Sequence, residues 1–464
     1  MKAVFIGGGA HRHLPIIRSA LGFGVFDDGE IFLYDLREDR AEAMARMIEK
    51  TPEYRKHKCK ISYKGTLEEA LDGADFVSVV LLAGSLYSFI AGENVSLEYG
   101  FLASDNITLN GAFLALKGAP IIMEIAKKME KYCPDAILID FANPVAVLSG
   151  AVNKYTKIKA LGVCHGYMNH CWDLTRIMGK DEFCGDYEVK VAGINHFSFI
   201  IEGKYKGKDL KKLIEYYIKR KTWKKLKLQK YWPKITKKNI KRGLGYMVKL
   251  FEEFDALLFS NEGDGIGHFF YEDYLNYAKK KWKKKTKSEI KREVKERIKA
   301  KEKADKEFRE ILKKDLDENF WNTYPLKNRN FGRDDKDIIA KILRAVSGKK
   351  EKIVASRPNE GAVEGMENRL ILEYSMEMKG KEIKPEKSLK IPESMYGIIS
   401  SLSNYQTLLA DAIGTKDPKI LYQALYSYPV KQGSKEAKRL WRELLEINKD
   451  EIYPEFLKLE EFIK

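Results

Sequence analysis

KAVFIGGGAHRHLP, residues 2–15, joins a short apolar run to three glycines and then to the start of a helix-forming stretch. An apolar strand that breaks into glycines before a helix is the local signature of a dinucleotide-binding turn. Gly7 and Gly9 fill the first two positions of the G-x-G-x-x-G pattern, and Arg12 stands where the third glycine would be. The turn Gly7-Gly8-Gly9-Ala10-His11 is therefore the candidate cradle for a pyrophosphate. A second strand, EIFLYDL, ends near Asp35, where a carboxylate can bond a ribose 2′-hydroxyl and so favour NAD. An NADP site would more readily carry a basic residue there; Arg37 lies close and belongs to the candidate set.

The pattern continues outward from this turn. Residues 15–23 and the stretch REDRAEAMARMIEKT read as helices, and ADFVSVVLL, DAILIDFAN and IKALGV as further strands. These are continuous apolar runs, as expected for parallel strands buried on both faces. Alternation of strand and helix predicts a Rossmann-type, doubly wound parallel sheet over residues 1–185. From about residue 185 the pattern changes. YEVKVAGINHFSFIIEGKYKGKDL alternates as strands do, 207–317 is helical and basic, and IVASRPNEGAVEGMENRLILEYSMEM returns to strand. Two amphipathic helices follow in 393–429. Residues 186–464 are expected to form a mixed α+β substrate and oligomerisation domain, the whole resembling a lactate or malate dehydrogenase in plan. A homodimer or homotetramer is expected.

Composition narrows the possibilities. The chain has 464 residues, 44% of them hydrophobic, which predicts a packed globular protein. No apolar run reaches the roughly 18–20 residues of a membrane span, and no signal peptide is evident, so no membrane partner is expected. Five irregularly spaced cysteines argue against a disulfide framework and for a cytoplasmic, reducing location. The net charge is +17, much of it between 204 and 314. There Glu and Lys interleave at helical spacing, which fits a solvated helix face better than a nucleic-acid footprint.

Two short motifs carry the chemistry. LGVCHG places Cys164 and His165 at the end of a strand, and AGINHF places Asn195 and His196 at the end of another. One thiolate and one imidazole suit a borderline transition metal, with water or substrate oxygens completing the shell. FANP puts Asn143 at a third strand end, where ligands of open α/β sheets bind.

These residues resemble the NAD-dependent glycosidases of glycoside hydrolase family 4. The resemblance rests on GGGAHRHLP, on YGFLASDNITLNGAFLALKGAP at 99–120, and on FANP, GVCHG and GINH in that order. It extends to RPNEGAVEGMENRLILEYSMEM and IPESMYGIISSLSNYQTLLADAI, and so covers most of the chain. It implies a small carbohydrate substrate, with NAD and Mn2+ (or Fe2+, Co2+ or Ni2+) as cofactors. It implies that Cys164 and His196 ligate the metal, that Asp105, Asn143 and Asn195 contact the sugar, and that His165 lies beside the leaving oxygen. The implied chemistry is oxidation at sugar C3, metal-assisted loss of the C2 proton, elimination, water addition and re-reduction. The family uses this route in place of the usual carboxylate pair. The base is expected in DALLFSNEGDGIGHFFYEDYL. Asp264 is the first choice, with Glu262, His268 and Tyr271 as rivals, although His268 is displaced from the family's Gly-Asp-x-His spacing. The histidine at 165 favours unphosphorylated α-hexosides or hexuronides. The alternatives are a 2-hydroxy-acid dehydrogenase, which leaves Cys164 without a role, and a non-catalytic basic protein that binds nucleic acid.

Overall fold

The computed structural model describes residues 1–164, 166–182, 187–260, 262–326 and 328–463, leaving out the side chains of 168, 326 and 329. The first half is the expected nucleotide-type sheet. Its strands are β1 (Lys2–Ile6), β2 (Glu30–Tyr34), β3 (Lys60–Ser62), β4 (Phe76–Val79), β5 (Ile137–Asp140) and β6 (Lys159–Gly162). Their order is β3-β2-β1-β4-β5-β6 and every pair is parallel. The order reverses between β1 and β4, and that switch point opens a crevice beyond the carboxyl ends of the strands.

The sheet does not stop at β6. Six further strands follow in sequence: β7 (Tyr187–Ile194), β8 (Phe197–Tyr205), β9 (Lys208–Asp209), β10 (Glu351–Pro358), β11 (Ile371–Lys379) and β12 (Glu382–Pro385). β10 joins β6 antiparallel, with Ser356 opposite Gly162, and the order continues β10-β11-β7-β8-β9. β12 adds to β11. One apolar core runs through both halves, from Val4 and Ile139 to Phe199 and Tyr374.

Three local features position the site. β7 and β8 form a tight hairpin, with Ile194 opposite Phe197, so Asn195 and His196 are its two turn residues. His196, the second turn residue, takes a left-handed backbone at φ 71°. The helix Gly263–Phe269 then packs against that turn. A Cβ on Gly265 would lie 1.9 Å from the His196 carbonyl oxygen. GDG is thus the opening of a helix, and the missing side chain at 265 is what allows the approach.

The helix Leu109–Tyr132 is mostly apolar. It is long and apolar enough to span a bilayer, with a mean hydropathy of 1.3 over an 18-residue window, but 83% of that window is buried. Its apolar surface is already covered by the protein, and it is a core helix. The predicted helix at 15–23 starts two residues earlier, at His13, and ends at Gly22.

Candidate active site

The glycine turn adopts the shape the sequence demanded. Gly7 has φ 79°, and a Cβ there would sit 2.0 Å from the Val80 carbonyl oxygen. The Gly7 and Gly8 amides both donate to the Tyr34 carbonyl, at 2.8 and 2.9 Å. Asp35 directly follows β2 and accepts from the amides of Gly9 (3.0 Å) and Arg37 (2.9 Å), so it also braces the turn. Arg37 itself points outward and pairs with Asp39 at 2.9 Å. Arg12 lies over the Phe141 ring at 3.7 Å, and its buried Nε has no hydrogen-bond partner among the described residues. These are features of a cradle for a phosphate-bearing ligand. Ala10 lies in the same turn, its amide bonded to the Gly7 carbonyl.

On the other side of the crevice, Cys164 and His196 meet. Cys164 Sγ is 3.8 Å from His196 Nε2, and Sγ accepts from the Gly166 amide at 3.3 Å. Glu262 is the third member: one donor atom from each of the three residues lies within 4.8 Å of the others. A thiolate, an imidazole and a carboxylate suit a Mn2+-to-Zn2+ class ion, and the donors present therefore fit a metal. Glu262 is held by Ser260 Oγ at 2.6 Å and lies 3.5 Å from His170 Nε2. Burial would raise its pKa, but His170 and His196 outweigh burial and keep it below the usual carboxylate range.

Asp264 stands behind His196. Its Oδ1 is 2.9 Å from His196 Nδ1, and its Oδ2 accepts from Ser104 Oγ at 2.7 Å. A carboxylate on one imidazole nitrogen turns the other toward the metal position and fixes its tautomer. Burial opposes ionisation of Asp264, but His196 and Ser104 overcome it and bring its pKa to about 2. Burial likewise opposes a charged His196, while Asp264 and Glu262 raise its pKa well above the usual value.

A chain of amides joins the three motifs. Asn106 Nδ2 donates to Asn195 Oδ1 at 2.8 Å and to Asn143 Oδ1 at 3.3 Å. Asn143 Nδ2 donates to Asp105 Oδ2 at 2.9 Å, and Asn195 Nδ2 to buried Glu373 at 2.8 Å. Asp105, Asn143, Asn195, Cys164, His196 and Asp264 are thus assembled in one place. His165 falls outside the described residues. His268 is bonded to the Asp264 carbonyl and, at 2.7 Å, to Tyr428. The Tyr271 hydroxyl donates to the Gly100 carbonyl. Both are committed to structural bonds. Ser104, Asn106 and Glu373 went unrecognised in the sequence. A run of three polar residues, Ser104-Asp105-Asn106, just before the Thr108 helix cap was the available signal.

Fold and site together define a class: a Rossmann-type protein with a transition-metal donor set facing the same crevice. The chain belongs to the family 4 glycosyl hydrolases. The profile of that family, "Family 4 glycosyl hydrolase", matches residues 2–179, and its C-terminal domain profile matches 191–430. An alpha-galacturonidase of Thermoanaerobacter italicus is 26% identical over 96% of both chains. A probable 6-phospho-beta-glucosidase of Bacillus subtilis is 23% identical over 99% of both. Among solved structures, a 6-phospho-alpha-glucosidase from gut microorganisms in complex with NAD and Mn2+ superposes with a TM-score of 0.74. It is 19% identical, covering 97% of this chain and 98% of that one.

Proposed function

We propose that this protein hydrolyses α-linked glycosides of unphosphorylated hexoses or hexuronic acids, with NAD and a divalent metal as resident cofactors. The observation that carries the proposal is the Cys164–His196–Glu262 donor set, with Asn106 bridging Asn143 to Asn195 beside His196. NAD, when bound, supplies a reversible hydride acceptor for sugar C3, and the metal supplies Lewis acidity toward neighbouring sugar oxygens. Cys164 and His196 hold the ion, and Glu262 completes the protein's share of the ligands. Asp105, Asn143 and Asn195 orient the sugar hydroxyls, and their mutual hydrogen bonds hold them in register before substrate arrives. Loss of the C2 proton depends on Asp264, either as proton acceptor or through its hold on His196. Residues 1–185 carry the dinucleotide turn together with Asp105, Asn143 and Cys164, and 186–464 carry Asn195, His196, Glu262, Asp264 and the subunit contacts, so the site is shared between the two halves of one continuous sheet.

The galacturonidase relative supports a hexuronide as the first substrate to test. The experiment is a screen of p-nitrophenyl α- and β-glycosides and uronides, with NAD+, Mn2+ and reductant each omitted in turn. Hydrolysis should require all three, and product formed in D2O should carry deuterium at C2. Turnover without NAD+, or product without deuterium, refutes the route. Net accumulation of NADH would point to a dehydrogenase instead.

Cofactor binding gives a separate check. Asp35→Ala should weaken NAD+ binding by about 1–2 kcal/mol, the scale of one or two hydrogen bonds to a neutral ribose. Wild-type protein should prefer NAD+ to NADP+. Titration calorimetry with both nucleotides reads this directly, and equal affinities would remove Asp35 from the ribose.

A further inference from the structure

The basic helix Lys287–Leu312 has no part in the chemistry above, yet it packs across the edge of the nucleotide crevice. Its N-terminal half lies on the helix Leu86–Glu98, where Ile290 meets Ile90 and Ala91. Its C-terminal end is tied to the helix Glu38–Glu49 and the residue after it. Lys50 Nζ donates to the Leu312 carbonyl at 2.7 Å, and Arg309 pairs with Asp39 at 2.5 Å. Between these anchors one acidic side chain, Asp305, turns inward onto the glycine turn.

Asp305 there meets two donors. Its Oδ2 is 3.0 Å from Arg40 Nε, and its Oδ1 is 3.3 Å from both Arg40 Nη2 and His11 Nε2. His11 also stacks on Phe308 of the same helix, at 4.3 Å and 13°. Arg40 in turn covers Gly9, whose added Cβ would lie 2.4 Å from Arg40 Cβ. Gly9, His11, Arg40, Ala43, Asp305, Phe308 and Arg309 line a space of about 10 Å³, room for one water. A pyrophosphate laid on this turn would need the same two donors and more space.

We propose that Asp305 is an internal counter-anion of the dinucleotide site. It holds His11 and Arg40 until the cofactor's phosphates replace it. The inference rests on the proposed NAD site and adds to it a residue from the second half of the chain. The physical ground is competition. A guanidinium and an imidazole N–H face either a carboxylate or a phosphate, so apparent cofactor affinity is reduced by the fraction of molecules in which Asp305 is docked. It also gives the helix a function that its charge alone did not suggest.

The test compares Asp305→Asn with the wild type, binding NAD+, ADP and adenosine in calorimetry. Glu302→Gln, an exposed change on the same helix, removes the same charge without touching His11 or Arg40. Asp305→Asn should tighten NAD+ and ADP on the order of 10-fold, while adenosine, which has no phosphate, and Glu302→Gln should change little. Weaker NAD+ binding by Asp305→Asn would overturn the proposal, because Asp305 would then be helping to hold the cofactor. Equal tightening in Glu302→Gln would reduce the effect to net charge and overturn it as well. If the wild type binds NAD+ and Asp305→Asn matches it, the counter-anion role fails while the cofactor site stands. If neither protein binds NAD+ or ADP, the cofactor site itself fails.

Discussion

Cys164→Ser loses turnover and bound metal together, while the chain remains folded. A serine hydroxyl cannot replace a thiolate on a borderline ion at neutral pH. Metal affinity should fall by more than about 100-fold, the upper end of what is seen when only a ligand's outer partner is removed. Turnover should fall in step, and added Mn2+ should restore little of it. In the wild type a chelator should abolish activity, and returning Mn2+ with reductant should restore it, since the thiolate is the oxidisable form. The control needs care. Cys171, seven residues on, is 2% exposed in the core, and burial pushes its thiol up to about 12. Cys171→Ser would bury a hydroxyl and cost about 1–3 kcal/mol of stability without touching the metal. Cys59 is half-buried and distant in sequence from the motifs, and is the better control. Metal content by atomic emission and activity should be read on all three variants. Normal metal content in Cys164→Ser would make Cys164 a packing residue and remove the proposed mechanism.

Asp264→Asn should reduce turnover by roughly 10²–10⁴-fold, the range associated with general-base catalysis. Its cause is separable. If Asp264 accepts the C2 proton, metal affinity survives, because the amide oxygen can still meet His196 Nδ1. If Asp264 works by holding His196, metal affinity falls by about 10–100-fold along with turnover. The geometry weighs toward the second: both oxygens are engaged, by His196 and Ser104. Ser104→Ala, which frees one oxygen, should then change metal affinity less than Asp264→Asn does. Near-normal turnover in Asp264→Asn would remove Asp264 from the proton transfer, and His268 and Tyr271 could not take it over as they stand, being committed to Tyr428 and Gly100.

How far the site was legible depended on how local each signal was. Gly7, Gly9 and Asp35 could be placed because a strand, a tight turn and a second strand are specified within about thirty residues. Cys164 and His196 could both be expected at strand ends because each follows an apolar run, but β7 runs antiparallel to β6 through β10 and β11, and the β7–β8 turn is what carries His196 to Cys164. Glu262 was named as a possible base, and its closeness to the other two donors could not be read. It follows a short bridge, where Leu258 meets Phe199, and no period marks that stretch. Asn106 and Glu373 were invisible for another reason. Their value lies in bonds to Asn143 and Asn195, many residues away along the chain.

By itself the sequence determined the parallel half of the sheet, the glycine turn with its acidic partner, and the three motifs that carry the chemistry. Each follows from periodicity, from backbone angles open to few residues, or from residue types that few chemistries need. The tertiary structure alone decided that the sheet runs on through β10 and β11, because strand neighbours nearly two hundred residues apart leave no trace in local pattern. It alone decided that Asp264 backs His196, which turns on a missing Cβ at Gly265. And it alone brought Asp305, one acid in a run of lysines, against His11 and Arg40. Charge along a helix can be read from sequence; which single charge faces inward is set by what the helix packs against.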